Sequence, residues 1–388
     1  MDYSLLLNDN IKSLKPSGIR RFFDIANSME NVLSLSIGEP DFNTPWHVRQ
    51  AGIDSLEKGK TYYSPNRGFV ELRKSITNYF NRRFNVKYNY EDEVLVTVGG
   101  SEAIDLCVRV LVGKGDEVLI PQPSFVCYEP ITIMAGGKPV IIETKENDNF
   151  KLTAKNLEDH ITKNTKLLIL PYPNNPTGAV MRKEELEEIA KIIKKYNLLV
   201  LSDEIYGELT YGNERHVTFS SIDGMRERTI IVSGFSKTYA MTGWRLGFAL
   251  GPKDIIDNMT KLHQFSIMSS PTTSQYAAVE ALNNGDNDIE SMKSQYDLRR
   301  RFIVDGFRKM GLYCFEPEGA FYVFPCVRST GLTSNEFCEK LLKKEKVAII
   351  PGTAFGDCGE GFVRVSYSYS INHIKEALKR IERFISNI

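Results

Sequence analysis

Residues 229–250 read TIIVSGFSKTYAMTGWRLGFAL. Two apolar runs, Thr229–Ser233 and Leu246–Leu250, bracket a segment of small, hydroxyl and aromatic residues that carries one lysine, Lys237, and one arginine, Arg245. Neither run alternates polar with apolar residues, which is the pattern of strands covered on both faces. The same kind of run recurs upstream at Val94–Val98, Glu117–Ile120, Val140–Thr144, Leu167–Leu170 and Leu198–Ser202. Between the last two, Arg182–Tyr196 sets Leu186, Ile189, Ala190 and Ile193 at helical spacing, with Lys and Glu opposite. This repetition of strand, helix and strand predicts an α/β fold: a mainly parallel sheet of about seven strands flanked by helices.

Beyond residue 285 the pattern changes. A charged helical stretch, Asp288–Met310, leads to short strand-like pieces at Ala320–Phe324, Val347–Ile350 and Phe362–Ser366. A last helix would place Ile371, Ile374, Leu378, Ile381 and Ile385 on one face, with Ser370 as its cap. A chain of 388 residues exceeds what one core usually holds. The expected division is a large domain, 46–285, and a smaller α+β domain made of 1–45 and 286–388.

Composition narrows the function. Hydrophobic residues at 42% and charged residues at 25% fit a soluble globular protein. The 49 basic residues balance the 49 acidic ones, which argues against a nucleic-acid partner. The six cysteines form no C-x-x-C pair and read as reduced thiols, and no metal site is expected. The first residues, MDYSLLLNDN, lack the basic start and long apolar run of a signal peptide, and no apolar stretch reaches membrane-spanning length. A cytoplasmic protein without a membrane partner is expected.

An open parallel sheet binds ligands at the C-terminal ends of its strands, so those ends name the candidate residues. After Val94–Val98 come Gly99, Gly100, Ser101 and Glu102, where a tight turn and a helix start suit a phosphate. After Leu167–Leu170 comes PYPNNPTG (171–178), in composition a turn. After Leu198–Ser202 come Asp203, Glu204, Ile205 and Tyr206, where the acid could also cap a helix. After Thr229–Ser233 comes Lys237 in an otherwise aromatic and small segment, and burial there would lower its pKa and free the amine for Schiff-base chemistry.

The segments SGFSKTYAMTGWRLG (233–247), NNPTG (174–178), SDEIY (202–206) and FVRVSY (362–367) resemble the class I/II aminotransferases of pyridoxal phosphate (PLP) fold type I. The resemblance covers essentially the whole chain, with the motifs in the family's order and spacing. It implies that Lys237 carries the cofactor as a Schiff base and that Asp203 pairs with the pyridinium nitrogen. Asn175 and Tyr206 would hydrogen-bond the phenolic oxygen, while Ser101, the backbone at Glu102, Ser236 and Arg245 would hold the phosphate. Phe125 matches the aromatic stacked on the ring. Arg364 and Gly38 match positions that meet the substrate α-carboxylate, together with Asn175. Tyr63, or its neighbour Tyr62, resembles the tyrosine that reaches the phosphate of a second subunit, which implies a homodimer with shared active sites. Gly234 departs from the family, in which several relatives carry serine, and Ser233 could compensate.

Other readings are weaker. Gly113-Lys114-Gly115 lacks the third glycine of a dinucleotide fingerprint and precedes a strand, and Gly59-Lys60-Thr61 lacks the leading glycine of a P-loop. A non-catalytic sensor would carry a DNA-binding domain, for which the 45 leading residues leave no room. A PLP β-lyase or cyclopropane-forming synthase shares the same cofactor motifs. Within transamination, the expectation is a ping-pong exchange between an amino acid and a 2-oxo acid, with aromatic donors and 2-oxoglutarate as acceptor. Ser17–Ala26 resembles a lid segment in which Ile19 and Phe22 would shield an apolar side chain and Arg20 would pair with a distal carboxylate; it reads equally as an amphipathic helix with a basic solvent face. Aspartate and N-acetyl-diaminopimelate remain as alternative donors.

Overall fold

The computed structural model describes residues 1–388 except 2, 4, 5, 15, 17, 19–28, 213 and 214. The lid residues Ile19, Arg20 and Phe22 therefore lie outside the described residues.

A short strand β1 (Leu33–Ser34) precedes the main sheet, whose strands are β2 (Val94–Thr97), β3 (Glu117–Gln122), β4 (Lys138–Glu143), β5 (Thr165–Leu170), β6 (Leu199–Asp203), β7 (Thr229–Gly234) and β8 (Gly247–Leu250). All seven predicted strands form, with ends shifted by one or two residues. Their order is β2-β8-β7-β6-β5-β3-β4. Alternate residues feed two different cores, which explains the lack of polar alternation. Val118, Ile120, Leu167, Ile169, Leu201, Ile230 and Val232 pack with Ile104 and Val108 of the helix Gly100–Leu111. Leu119, Leu168 and Val200 pack with Leu186, Ile189 and Ile193 of the helix Lys183–Lys195, and Val96, Ile231 and Phe248 with Leu72 and Ile76.

One strand runs against the rest: β8 lies antiparallel between β2 and β7. Its N-terminal end therefore shares an edge with the C-terminal ends of its neighbours. This is why Arg245 precedes its strand in sequence while Asp203 and Lys237 sit at or after the ends of theirs. Gly247 stands opposite Gly234 and Thr97, and a Cβ on it would lie 2.6 Å from the Gly100 nitrogen, so only glycine brings the two turns together.

In the remaining part, β9 (Tyr322–Val323), β10 (Val347–Ala348), β11 (Ile350–Pro351) and β12 (Val363–Ser366) are short. β12 is the middle of an antiparallel sheet with β11 and β9, and β1 pairs in parallel with β10. The helix Ile371–Ile385 starts where expected, with the Ser370 hydroxyl accepting the His373 N–H. Its buried face differs from the expected one at the ends: Ile371 is exposed, and Ala377 and Phe384 are buried with Ile374, Leu378 and Ile381.

Candidate active site

Along the shared strand edge a cavity of about 290 Å³ opens, lined by residues from both parts of the chain. The short helix Phe235–Thr238 follows β7 and turns Lys237 into it. The Lys237 amine donates to the Gly38 carbonyl at 2.6 Å and stands 5.7 Å from the Phe321 ring centre. Burial brings its pKa down to about 8; Glu39 opposes this, and Arg364 and Arg245 add to it. A larger share of this amine is therefore uncharged and nucleophilic near neutral pH than of an ordinary lysine.

Asp203 ends β6 and no helix follows it, so it caps nothing. Its buried carboxylate accepts the Tyr128 hydroxyl at 2.7 Å and the Ile205 N–H at 3.2 Å. Burial raises its pKa to about 6 against these two bonds. Among the described residues no cation pairs with it, and a buried acid in that position suits a positively charged ring nitrogen.

At the other end of the cavity the donors collect. The helix Gly100–Leu111 begins there with no side chain capping its first N–H groups. Gly99 adopts φ +78°, and a Cβ on it would meet Nη2 of Arg245 at 2.7 Å. Arg245 donates to the Thr242 carbonyl at 3.0 Å and has no carboxylate partner among the described residues. Ser101 and Ser236 also line this space. Uncapped N–H groups, two hydroxyls and a guanidinium without a counter-ion form a cradle for a dianion such as a phosphate.

Arg364 projects from β12 and is almost completely buried. Its guanidinium lies between the faces of Tyr322, at 4.6 Å, and Phe355, at 4.8 Å. It donates to Asn175 Oδ1 at 3.1 Å and to the Ser36 carbonyl, while its Nε is buried without a partner. An unmatched buried donor on a cation calls for an anionic acceptor. Asn175 reaches the cavity because Asn174 holds the turn, its Oδ1 accepting the Thr177 N–H and hydroxyl at 3.1 and 2.9 Å. Gly38 is required where it stands, since a Cβ there would lie 2.0 Å from the Tyr322 hydroxyl.

Of the residues expected from sequence, Gly38, Ser101, Phe125, Asn175, Asp203, Tyr206, Ser236, Lys237, Arg245 and Arg364 line this one cavity. Glu102 turns its carboxylate away, towards Val98 and His263, and only its backbone remains with the cradle. Tyr62 and Tyr63 are both largely exposed and do not line the cavity. Sequence reading missed Tyr128, which holds Asp203, and Tyr322, which hydrogen-bonds the Tyr206 hydroxyl at 2.8 Å and underlies Arg364. Tyr128 follows Phe125 by three residues, a helical-turn spacing that could have flagged it. Tyr322 lies in a predicted strand, where nothing in the sequence says which face meets a ligand.

Comparison with known proteins agrees with this geometry. Residues 30–381 match the family "Aminotransferase class I and II". The chain is 43% identical over 383 residues to an aspartate aminotransferase of Pyrococcus abyssi, with 98% of each covered, and 41% identical over 383 residues to aromatic-amino-acid aminotransferase 2 of Thermococcus litoralis, again with 98% of each covered. The crystal structure of the aromatic aminotransferase from Pyrococcus horikoshii superposes with a TM-score of 0.90 at 43% identity, covering 94% of this chain and 99% of that one. Similarity this extensive, running through every strand that builds the cavity, means that the chain belongs to aminotransferase class I and II, a family of enzymes that use pyridoxal phosphate.

Proposed function

We propose that this aminotransferase takes its amino group from aromatic L-amino acids and passes it to 2-oxoglutarate by a ping-pong mechanism, working in the cytoplasm as a homodimer. The observation that carries the donor class is the charge of the cavity wall. Its described cations are Lys237, Arg245 and Arg364. Arg245 sits at the phosphate cradle and Arg364 suits the α-carboxylate, so no further described cation is free to draw in an acidic donor side chain. Phe125, Ile104 and Ile205 add apolar wall. The distal carboxylate of 2-oxoglutarate would be met by Arg20, outside the described residues.

Bound in this cavity, pyridoxal phosphate supplies an electron-withdrawing ring that stabilises negative charge at the substrate Cα. The placement of the chain's own groups supports a role for each. Arg364 fixes the α-carboxylate with its spare donor, and Gly38 allows the close approach. Lys237 moves the proton at Cα. Asp203, oriented by Tyr128, would keep the ring nitrogen protonated, and Asn175 and Tyr206 would hydrogen-bond the phenolic oxygen. The division into 46–285 and a unit made of 1–45 with 286–388 belongs to the same reading, supported by the pairing of β1 with β10. The exposure of Tyr62 and Tyr63 supports a contact to a second subunit.

The test is a panel of phenylalanine, tyrosine, aspartate and N-acetyl-diaminopimelate against 2-oxoglutarate, scored by kcat/KM, on enzyme whose mass is measured by sedimentation. Aromatic donors should lead by at least about tenfold, the order that a change in pocket contacts gives. A lead for aspartate, or a fully active monomer, would reject the corresponding part of the proposal.

Asp203→Asn gives a second expected result, with opposite signs in two assays. A carboxyl whose folded pKa is raised to about 6 destabilises the cofactor-free protein as pH rises from about 4 through 6, because the unfolded chain ionises it more readily. The amide removes that cost, so cofactor-free Asp203→Asn should melt no lower than the parent at pH 8. Transamination should nevertheless fall roughly a hundredfold or more, because an amide does not hold a ring nitrogen protonated. Near-normal kcat at saturating cofactor would leave Asp203 a purely structural acid.

A further inference from the structure

Glu102 occupies the third position of the helix whose N-terminus forms the phosphate cradle. A carboxylate there lies at the positive end of the helix and next to the space a phosphate would fill, so on charge alone it competes with the ligand for the same N–H groups. It does not do so here, because both of its oxygens are occupied elsewhere. One accepts the N–H of Val98, upstream of the turn, and the other accepts Nδ1 of His263 at 2.7 Å. His263 lies in the helix Lys253–Ser266, which packs against the cradle helix, and is completely buried. Its Nε2 is buried without a partner. The ring thus gives up one of its two hydrogen bonds and keeps only the bond to Glu102, an arrangement that costs stability.

The turn that Glu102 ties is the one the cradle depends on. The Gly99 N–H donates to the Thr97 carbonyl, the Thr97 hydroxyl donates to the Gly99 carbonyl, and Glu102 fixes Val98 between them. Pulling Glu102 back therefore does two things: it locks Thr97–Ser101 in the shape that presents free N–H groups, and it keeps a negative charge off them.

We propose that His263 is a positioning residue for the cofactor phosphate: it holds the Glu102 carboxylate back from the mouth of the helix and so keeps the cradle open for a dianion. This rests on the cradle of Ser101, Ser236 and Arg245 being the phosphate site.

The experiment is equilibrium titration of apoenzyme with pyridoxal phosphate, with the phosphorus-31 resonance of the bound phosphate as a second readout. His263→Leu should raise the cofactor Kd about tenfold or more and shift that resonance. His263→Asn, whose amide nitrogen can stand where Nδ1 stands, should recover most of the affinity. Adding Glu102→Gln to His263→Leu should also recover part of it, because the charge released by the first change is removed by the second. A packing role alone predicts no such recovery. Should His263→Leu fail to fold, His263→Met, which likewise offers Glu102 no donor, carries the test, with an increase in Kd of the same order expected. Parental affinity in His263→Leu, or in His263→Met where that variant stands in, overturns the proposal, as does a loss that neither rescue restores. Arg245→Ala separates this from a failure of the cradle itself: if that variant binds cofactor as tightly as the parent, the phosphate lies elsewhere.

Discussion

Lys237→Ala should retain bound cofactor yet lose transamination by several orders of magnitude. The substitution removes the amine that would attach the cofactor and the base that would move the proton at Cα, and two losses in one side chain compound. The cradle and Asp203 are left in place, so binding should persist. The amine is suited to both tasks because burial holds its pKa at about 8 and the Gly38 carbonyl orients it. Two measurements check this. Borohydride treatment of the parent should leave the phosphopyridoxyl group on residue 237 when the labelled peptide is mapped, and single-turnover spectra of Lys237→Ala with amino acid should show almost no conversion. A label on another lysine, with Lys237 unmodified, would contradict the site.

Arg364→Lys should be nearly as damaging, through a different step. The guanidinium carbon stands over the rings of Tyr322 and Phe355, two of its nitrogens are engaged by Asn175 and Ser36, and the third is buried without a partner. An ammonium cannot span those positions or fill that sandwich. Breaking a buried ion pair of this kind costs roughly 3–5 kcal/mol, and at about 1.4 kcal/mol per tenfold that is about two to four orders of magnitude in kcat/KM. Amino and 2-oxo substrates should suffer together, since each presents the same carboxylate, while cofactor absorbance should be unchanged. Normal rates in both half-reactions would show that another residue holds the carboxylate.

These two residues were legible in the sequence for different reasons. Lys237 stands out locally, because it follows a buried strand in a segment otherwise aromatic and small. Arg364 does so because an arginine between Val363 and Val365 in a buried strand needs an anion. The strands were legible because burial on both faces leaves unbroken apolar runs. The antiparallel course of β8 was not, since a run of Gly, Phe, Ala and Leu carries no sign of direction. Tyr128 and Tyr322 were hidden because their importance comes from partners 75 and 116 residues away, Asp203 and Tyr206, and such pairings are decided by the tertiary fold. The start of the last helix misled for a related reason. Ile371 fits the helical repeat but is exposed, while Ile385 at the other end is half-buried against the core.

The direction of β8 also sets an order of events during synthesis. Because the strand doubles back beside β7, the groups that would serve the cofactor (Gly99, Ser101, Asp203, Lys237, Arg245), with His263 behind them, are all present once the chain has been made to residue 266. The substrate clamp has to wait. Its bond from Arg364 to Ser36 closes a span of 328 residues, so nothing shorter than that span can contain it. On the ribosome the half of the site that would hold the cofactor can therefore exist before the half that would grip the substrate carboxylate.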